Sequence, residues 1–249
     1  GQAEERACDV LIVGAGPAGL AAAIAASEAG GAVVVLDERA APGCQYHKPL
    51  APSHRHAAPD AQFRDAAALA ARAARAGAAL VQDATVWGAF GAGEEVAAVV
   101  AGRAVTFQPR RLILAAGAHE RPMPLPGWTL PGVMTTGALQ TLARAQRVSP
   151  GQRVLIAGNG PLNLQLACEL LAGGVQVAAV IEAAPKPSLG GLRHAWAMLR
   201  AAPGLVRQGL SYLATLERAG VGIIWQSSLT RLEGEGRVAI AHLATPGGP

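Results

Sequence analysis

The chain has 249 residues, of which 51% are hydrophobic and only 15% charged, with a formal net charge of +4; that suits one large or two modest domains with a substantial core. The arginines are scattered and no face gathers cations with aromatics, which argues against a nucleic-acid footprint. Three cysteines, far apart and without C-x-x-C spacing, indicate neither a disulfide framework nor a zinc site and fit a reducing compartment.

The opening Gly1-Gln2-Ala3-Glu4-Glu5-Arg6 is neither a signal nor a transit peptide, and the missing initiator Met points to processing or an artificial boundary. No apolar run approaches the roughly 18 residues of a membrane span. Val10-Leu11-Ile12-Val13 is a short apolar run of buried-strand type. It leads into Gly14-Ala15-Gly16-Pro17-Ala18-Gly19, a helix from Leu20 to Glu28, a break at Gly30-Gly31, and a second buried strand, Val33-Val34-Val35-Leu36, ending on Asp37. This is a βαβ unit. Gly14 permits the tight turn, Gly16 leaves no Cβ between backbone and a pyrophosphate, and Gly19 lets the helix approach the strand. The helix N-terminus offers free N–H groups to phosphate, and Asp37 stands where a carboxylate accepts the ribose hydroxyls of an adenosine. The stretch reads as a cradle for the diphosphate of an adenine dinucleotide.

Glu38 to Pro49 is a loop on the ligand side of the sheet, and residues 49–59 are irregular. His54 and His56 have no third ligand nearby, so a solvated loop is the reading there rather than a metal site. A helix is expected from Asp60 to Ala76, then a third parallel strand at Leu80-Val81. Three short strands at 84–90, 96–101 and 104–108 read as an antiparallel meander, and Arg111 to Gly117 as a further buried strand ending on glycine. Pro122, Pro124, Pro126 and Pro131 then forbid helix, which makes residues 126–150 a crossover, with a short helix from Thr135 to Ala145. Glu120 and Arg121 are open to pairing with each other or with a neighbouring domain, and Trp128 to packing or a place beside a ligand. Structural roles are the expectation for all three.

From Gln152 the opening pattern repeats: Val154 to Gly158 as strand, Gly158-Asn159-Gly160-Pro161-Leu162-Asn163 as turn, Leu162 to Leu171 as helix, and Val175 to Glu182 as strand and acid. Asn163 replaces the third glycine, which puts the phosphate site in question. Gly158, Gly160, Pro161, Asn163 and Glu182 are the candidates for a second nucleotide, NAD or another adenine nucleotide, since Glu182 favours an unphosphorylated ribose. A repeat kept for packing is the other reading. Helices follow at 192–200 and 205–218, then a strand at 222–225 and a hairpin at 229–233 and 237–244.

The order GAGPAG, LDER with Gly43 beyond it, a meander and LILAAG resembles the flavoproteins with two dinucleotide-binding domains, the pyridine nucleotide-disulfide oxidoreductase superfamily. Gly117-Ala118-His119-Glu120-Arg121-Pro122-Met123-Pro124-Leu125-Pro126-Gly127-Trp128-Thr129-Leu130-Pro131-Gly132-Val133 is similar to a segment of one branch. That branch holds the B subunit of hydrogen cyanide synthase, the A subunits of opine oxidases and the flavin subunits of amine and proline dehydrogenases. The resemblance implies an α/β fold of two Rossmann-like domains, each a parallel sheet with helices on both faces plus a small meander, the second inserted in the first. It divides the chain into an FAD domain (1–125), the crossover, and an incomplete NAD-type domain (151–249), a further return segment being supplied by missing chain or by a partner.

FAD would lie on Gly14, Gly16, Pro17, Ala18, Gly19, Asp37, Glu38, Arg39, Gln45, Val86, Ala116 and Gly117. The implied activity is oxidation of a C–N bond in an amino acid, opine or amine by one subunit of a cytoplasmic hetero-oligomer, in contact with the inner membrane face through partners. The alternatives are an NADH-dependent flavoprotein reductase and a non-catalytic, adenine-nucleotide-binding scaffold subunit. Cys44 has no partner four residues on, so disulfide reduction is not expected; no residue is assigned to proton or hydride transfer, and no metal site is expected.

Overall fold

The computed structural model describes residues 4–43, 61–149, 151–188 and 192–246; Cys44, Gln45, His54 and His56 lie outside them. Two compact units divide the chain, Gly1–His119 and Glu120–Pro249.

In the first unit, β1 (Glu4–Val13), α1 (Pro17–Glu28), β2 (Val33–Leu36), α2 (Ala61–Arg75) and β3 (Ala79–Val81) are followed by β4 (Ala84–Phe90), β5 (Glu95–Val100) and β6 (Arg103–Leu114). The sheet order is β3-β2-β1-β6-β5-β4. Strands β3, β2, β1 and β6 are parallel, while β4 and β5 run back antiparallel as the meander. The apolar strand runs are buried on both faces, as parallel strands require. Ile12, Val33 and Val35 meet Leu20, Ala23 and Ile24 of α1 and Ala73 of α2. Leu11 and Leu36 face the other way, against Val96 and Ala98 of β5 and Val105 and Phe107 of β6. Among the described residues, therefore, helices cover one face and the meander closes over the other. Phe107 is fully buried, and truncating such a ring to alanine costs about 3–5 kcal/mol.

The separate buried strand expected at Arg111–Gly117 is corrected. Arg103–Leu114 is a single strand, paired with β5 only through Phe107 but with β1 from Val105 to Leu114. Beyond Phe107 no described strand flanks its outer edge, so Ile113 and Leu114 are exposed rather than buried.

The second unit contains α3 (Thr136–Arg144), β7 (Arg153–Gly158), α4 (Pro161–Ala172), β8 (Gln176–Glu182), α5 (Leu192–Ala201), α6 (Pro203–Arg218), β9 (Ile223–Trp225) and the hairpin β10 (Ser228–Glu233) and β11 (Ile240–Ala244). Parallel strands β7, β8 and β9 form a sheet in that order. Its core joins Ile156, Val177 and Val180 to Leu166 and Leu170 of α4, Leu139 of α3 and Leu216 of α6. The proline-rich segment runs along the hairpin, with Leu232 N–H donating to the Pro126 carbonyl at 2.8 Å and Val238 N–H to that of Pro131 at 3.0 Å. Gly127 is at φ +85°, and a Cβ there would fall 2.0 Å from the Leu232 carbonyl oxygen, so only glycine allows that approach.

Glu120 takes the structural role expected of it: its Oε2 accepts the N–H of Gly137 at 2.7 Å, capping α3 from 17 residues upstream. Thr135 Oγ1 accepts the N–H of Ala138 on the same helix end. Toward its C-terminal half α3 is held to α4 by Glu169, which receives Arg144 Nη1 at 2.8 Å, Gln140 Nε2 at 3.1 Å and Gln165 Nε2 at 2.8 Å. Side chains of the Arg144–Glu169 pair are only 8% and 18% exposed.

Candidate nucleotide-binding turns

The first turn sits where β1 hands over to α1. Gly14 has φ +106°, and a Cβ on it would lie 2.3 Å from the carbonyl oxygen of Ala115, at the end of β6. A Cβ on Gly19 would lie 1.9 Å from the Gly14 carbonyl oxygen. Both glycines are thus required by close approach of backbone to backbone. Gly16 is the N-cap of α1 with no side-chain cap, and Pro17 follows it at the start of the helix. Pro17 brings no N–H and a preset φ, and among the described residues no side chain accepts from the first-turn N–H groups after it. They are the donors an anion takes at a helix N-terminus.

Asp37, buried at the exit of β2, aims its carboxylate back at the turn. Oδ2 accepts the N–H of Ala15 at 2.6 Å and Oδ1 that of Arg39 at 2.9 Å. The exit is fixed further by Asp37 N–H on the Val81 carbonyl and Ala84 N–H on that of Asp37. Gly43 N–H then returns to the Ala15 carbonyl at 2.9 Å, so the loop after β2 folds over the turn.

Of the residues expected at this site, the structure therefore brings Gly14, Gly16, Pro17, Ala18, Gly19, Asp37 and the backbone of Arg39 together. Ala116 and Gly117 continue directly from Ala115, exposed, with Gly117 at φ +77° and open space where its Cβ would be. Glu38 is exposed. Val86 turns its half-buried side chain toward the core beneath the meander, and Gln45 lies outside the described residues. Sequence reasoning missed Ala15 as a backbone anchor for both Asp37 and Gly43, and Ala115 as the wall against Gly14. No side-chain pattern signals a role played through backbone atoms. The two glycines no Cβ fits, the open helix end and the inward carboxylate suit a dinucleotide diphosphate and its ribose.

The second turn repeats the frame. Gly158 is at φ +154° and Gly160 at φ +111°. Glu182 Oε2 accepts the N–H of Gly160 at 3.1 Å and Oε1 that of Ala184 at 3.0 Å. Asn163, 5% exposed, occupies the third-glycine position. Its Oδ1 accepts the Thr136 hydroxyl at 2.9 Å, and its Nδ2 is 3.0 Å from where a Gly158 Cβ would sit. Thr136 was not legible as a partner, because it comes 27 residues earlier on another helix.

Residues 8–247 match the family described as pyridine nucleotide-disulphide oxidoreductase. The chain belongs to that family. The opine oxidase A subunit of Agrobacterium tumefaciens (strain Ach5) is 40% identical over 198 residues, covering 75% of this chain and 39% of the relative. The hydrogen cyanide synthase subunit HcnB of Pseudomonas aeruginosa is 35% identical over 244 residues, covering 94% of this chain and 50% of the relative. The chain thus spans half or less of these relatives. Thioredoxin reductase of T. acidophilum superposes with a TM-score of 0.68 at 20% identity, over 98% of this chain and 73% of that one, and shows the same fold.

Among the described residues, no three histidine, cysteine or acidic side chains gather as a metal site, and no helix is long and apolar enough to cross a membrane. Cys8 and Cys168 are free thiols. Burial pushes both above the ordinary thiol range, helped by the charges of Asp9 and Glu169 respectively, so neither is a ready nucleophile.

Proposed function

We propose that the first turn holds FAD and that the chain is one subunit of an oxidoreductase that oxidises a C–N bond in an amino acid, opine or amine. The observation that carries this reading is the pairing of the glycine turn with the carboxylate of Asp37, which faces that turn rather than solvent. Gly14 and Gly19 bring strand and helix close enough for the α1 N-terminus to meet a diphosphate, and Asp37 has lone pairs left for the ribose hydroxyls. The bound flavin would supply the two-electron acceptor chemistry, and the protein binds and orients it. Ala116 and Gly117, exposed beyond β6, are the residues we place against the flavin.

The C–N substrate class and the need for companion subunits rest on relatives named as subunits of opine oxidase and hydrogen cyanide synthase. A cytoplasmic setting, at the inner membrane face through such partners, belongs to the same reading. The test is the visible absorption of the freshly purified full-length protein, alone and with its companion subunits. Flavin bands that bleach anaerobically with an amine donor are expected. Bleaching with NADH alone would make it a reductase, and a colourless protein that still binds ADP would make it a scaffold.

A further inference from the structure

We infer that the second glycine turn is a bracket that anchors α3, not a dinucleotide site, so this turn takes up no pyridine nucleotide. Three observations on the turn itself carry this. In the first turn, helix and strand are so close that even one Cβ at Gly19 meets the Gly14 carbonyl oxygen at 1.9 Å; in the second, a whole carboxamide fits between them at Asn163. That amide spaces the α4 N-terminus away from Gly158, whereas a diphosphate cradle depends on close convergence of the two.

Glu182 is one methylene longer than Asp37 and reaches one residue further along its turn, to the N–H of Gly160 rather than that of Asn159. In the first turn the counterpart of Gly160 is Gly16, whose N–H Asp37 leaves alone because its carboxylate stops at Ala15. The second turn thus spends its middle donor on an internal carboxylate, which sets a negative charge where a phosphate would bring its own. Finally, the Asn163 carbonyl is engaged by the Thr136 hydroxyl. Thr136 is the first residue of α3, the helix that Glu120 caps at Gly137 and Glu169 grips through Arg144. Asn163 therefore fastens the helix start to the turn, and NAD does not fit this arrangement.

The consequence for electron flow rests on the flavin reading above: electrons would reach a bound flavin from the organic substrate and not from NADH. The bracket itself does not depend on that reading. The experiment is calorimetric titration of the full-length chain with NADH, to about 1 mM so that even a millimolar Kd registers, before and after saturation with FAD. No NADH binding that survives excess FAD is expected. NADH that FAD displaces belongs to the first turn and leaves the inference standing, whereas an equivalent of NADH that FAD leaves in place overturns it. In parallel, hydrogen exchange of α3 amides should quicken several-fold in Thr136→Val and return to the wild-type rate in Thr136→Ser. Unchanged exchange in Thr136→Val also overturns it. If the protein takes up no FAD at all, the flavin reading fails by itself, and the NADH and exchange results still decide the bracket.

Discussion

Two turns that share three of their six letters, Gly14 to Gly19 and Gly158 to Asn163, open the parallel sheets of the two units, and of the differences in and around them two bear on their use. One glycine becomes an asparagine, and one aspartate becomes a glutamate. The first change puts an amide where backbone met backbone, and the second moves a carboxylate onto the middle donor of the turn. On the proposed reading, between them they convert a ligand-facing cradle into an internal joint. A glycine motif therefore reports a turn; what fills its third position and how far the acid reaches report its use.

The comparison can be broken at four points. The largest effect is expected of Gly19→Val, whose side chain collides with the Gly14 carbonyl oxygen: complete loss of bound flavin and a stability loss of about 3 kcal/mol or more. The matching Asn163→Val removes one hydrogen bond and should cost only about 1–2 kcal/mol while the flavin stays. Urea unfolding with the flavin-to-protein absorbance ratio measures both, and equal losses would mean that the turns are alike. Next, Glu169→Gln removes the charge that Arg144 Nη1 meets at 2.8 Å in a largely buried site, for about 2 kcal/mol in the second unit and no change in flavin affinity.

A smaller contrast separates the two acids. Asp37→Asn should weaken FAD binding by about 2 kcal/mol, roughly thirtyfold, through loss of a charged acceptor, whereas Glu182→Gln should leave the flavin titration unchanged. The smallest effect concerns the thiols. Because burial raises the pKa of Cys8 and Cys168, the folded protein favours their neutral form. The stability this gives is complete below the ordinary thiol value of about 8.5 and declines as pH rises above it. Iodoacetamide at pH 8 should label both more slowly in the native protein than in urea.

Much of the first unit was legible because its signals are local. The apolar run of Val33 to Leu36, the glycine spacing and the acid at the strand end all lie within one βαβ unit, and the meander announced itself by its glycines. The continuity of β6 was not legible, since Arg111 to Leu114 reads as a core strand and only the pairing shows that β5 stops at Phe107. Nor was the work of Glu120 in capping α3, or of Glu169 in gathering Gln140 and Arg144, because these contacts join residues 17 to 29 apart on different elements or at a helix end. Asn163 was legible as a departure that keeps helix and strand from approaching as closely; what was not legible is the partner of its amide, Thr136.

Counting the adenine nucleotides released on denaturing the purified full-length protein tests the difference between the turns most directly. One FAD per chain and no pyridine nucleotide are predicted, with the FAD lost in Gly19→Val and kept in Glu182→Gln. A wild-type protein that releases no FAD, or one whose FAD disappears with Glu182→Gln and persists with Gly19→Val, would contradict the assignment of the first turn as the cradle.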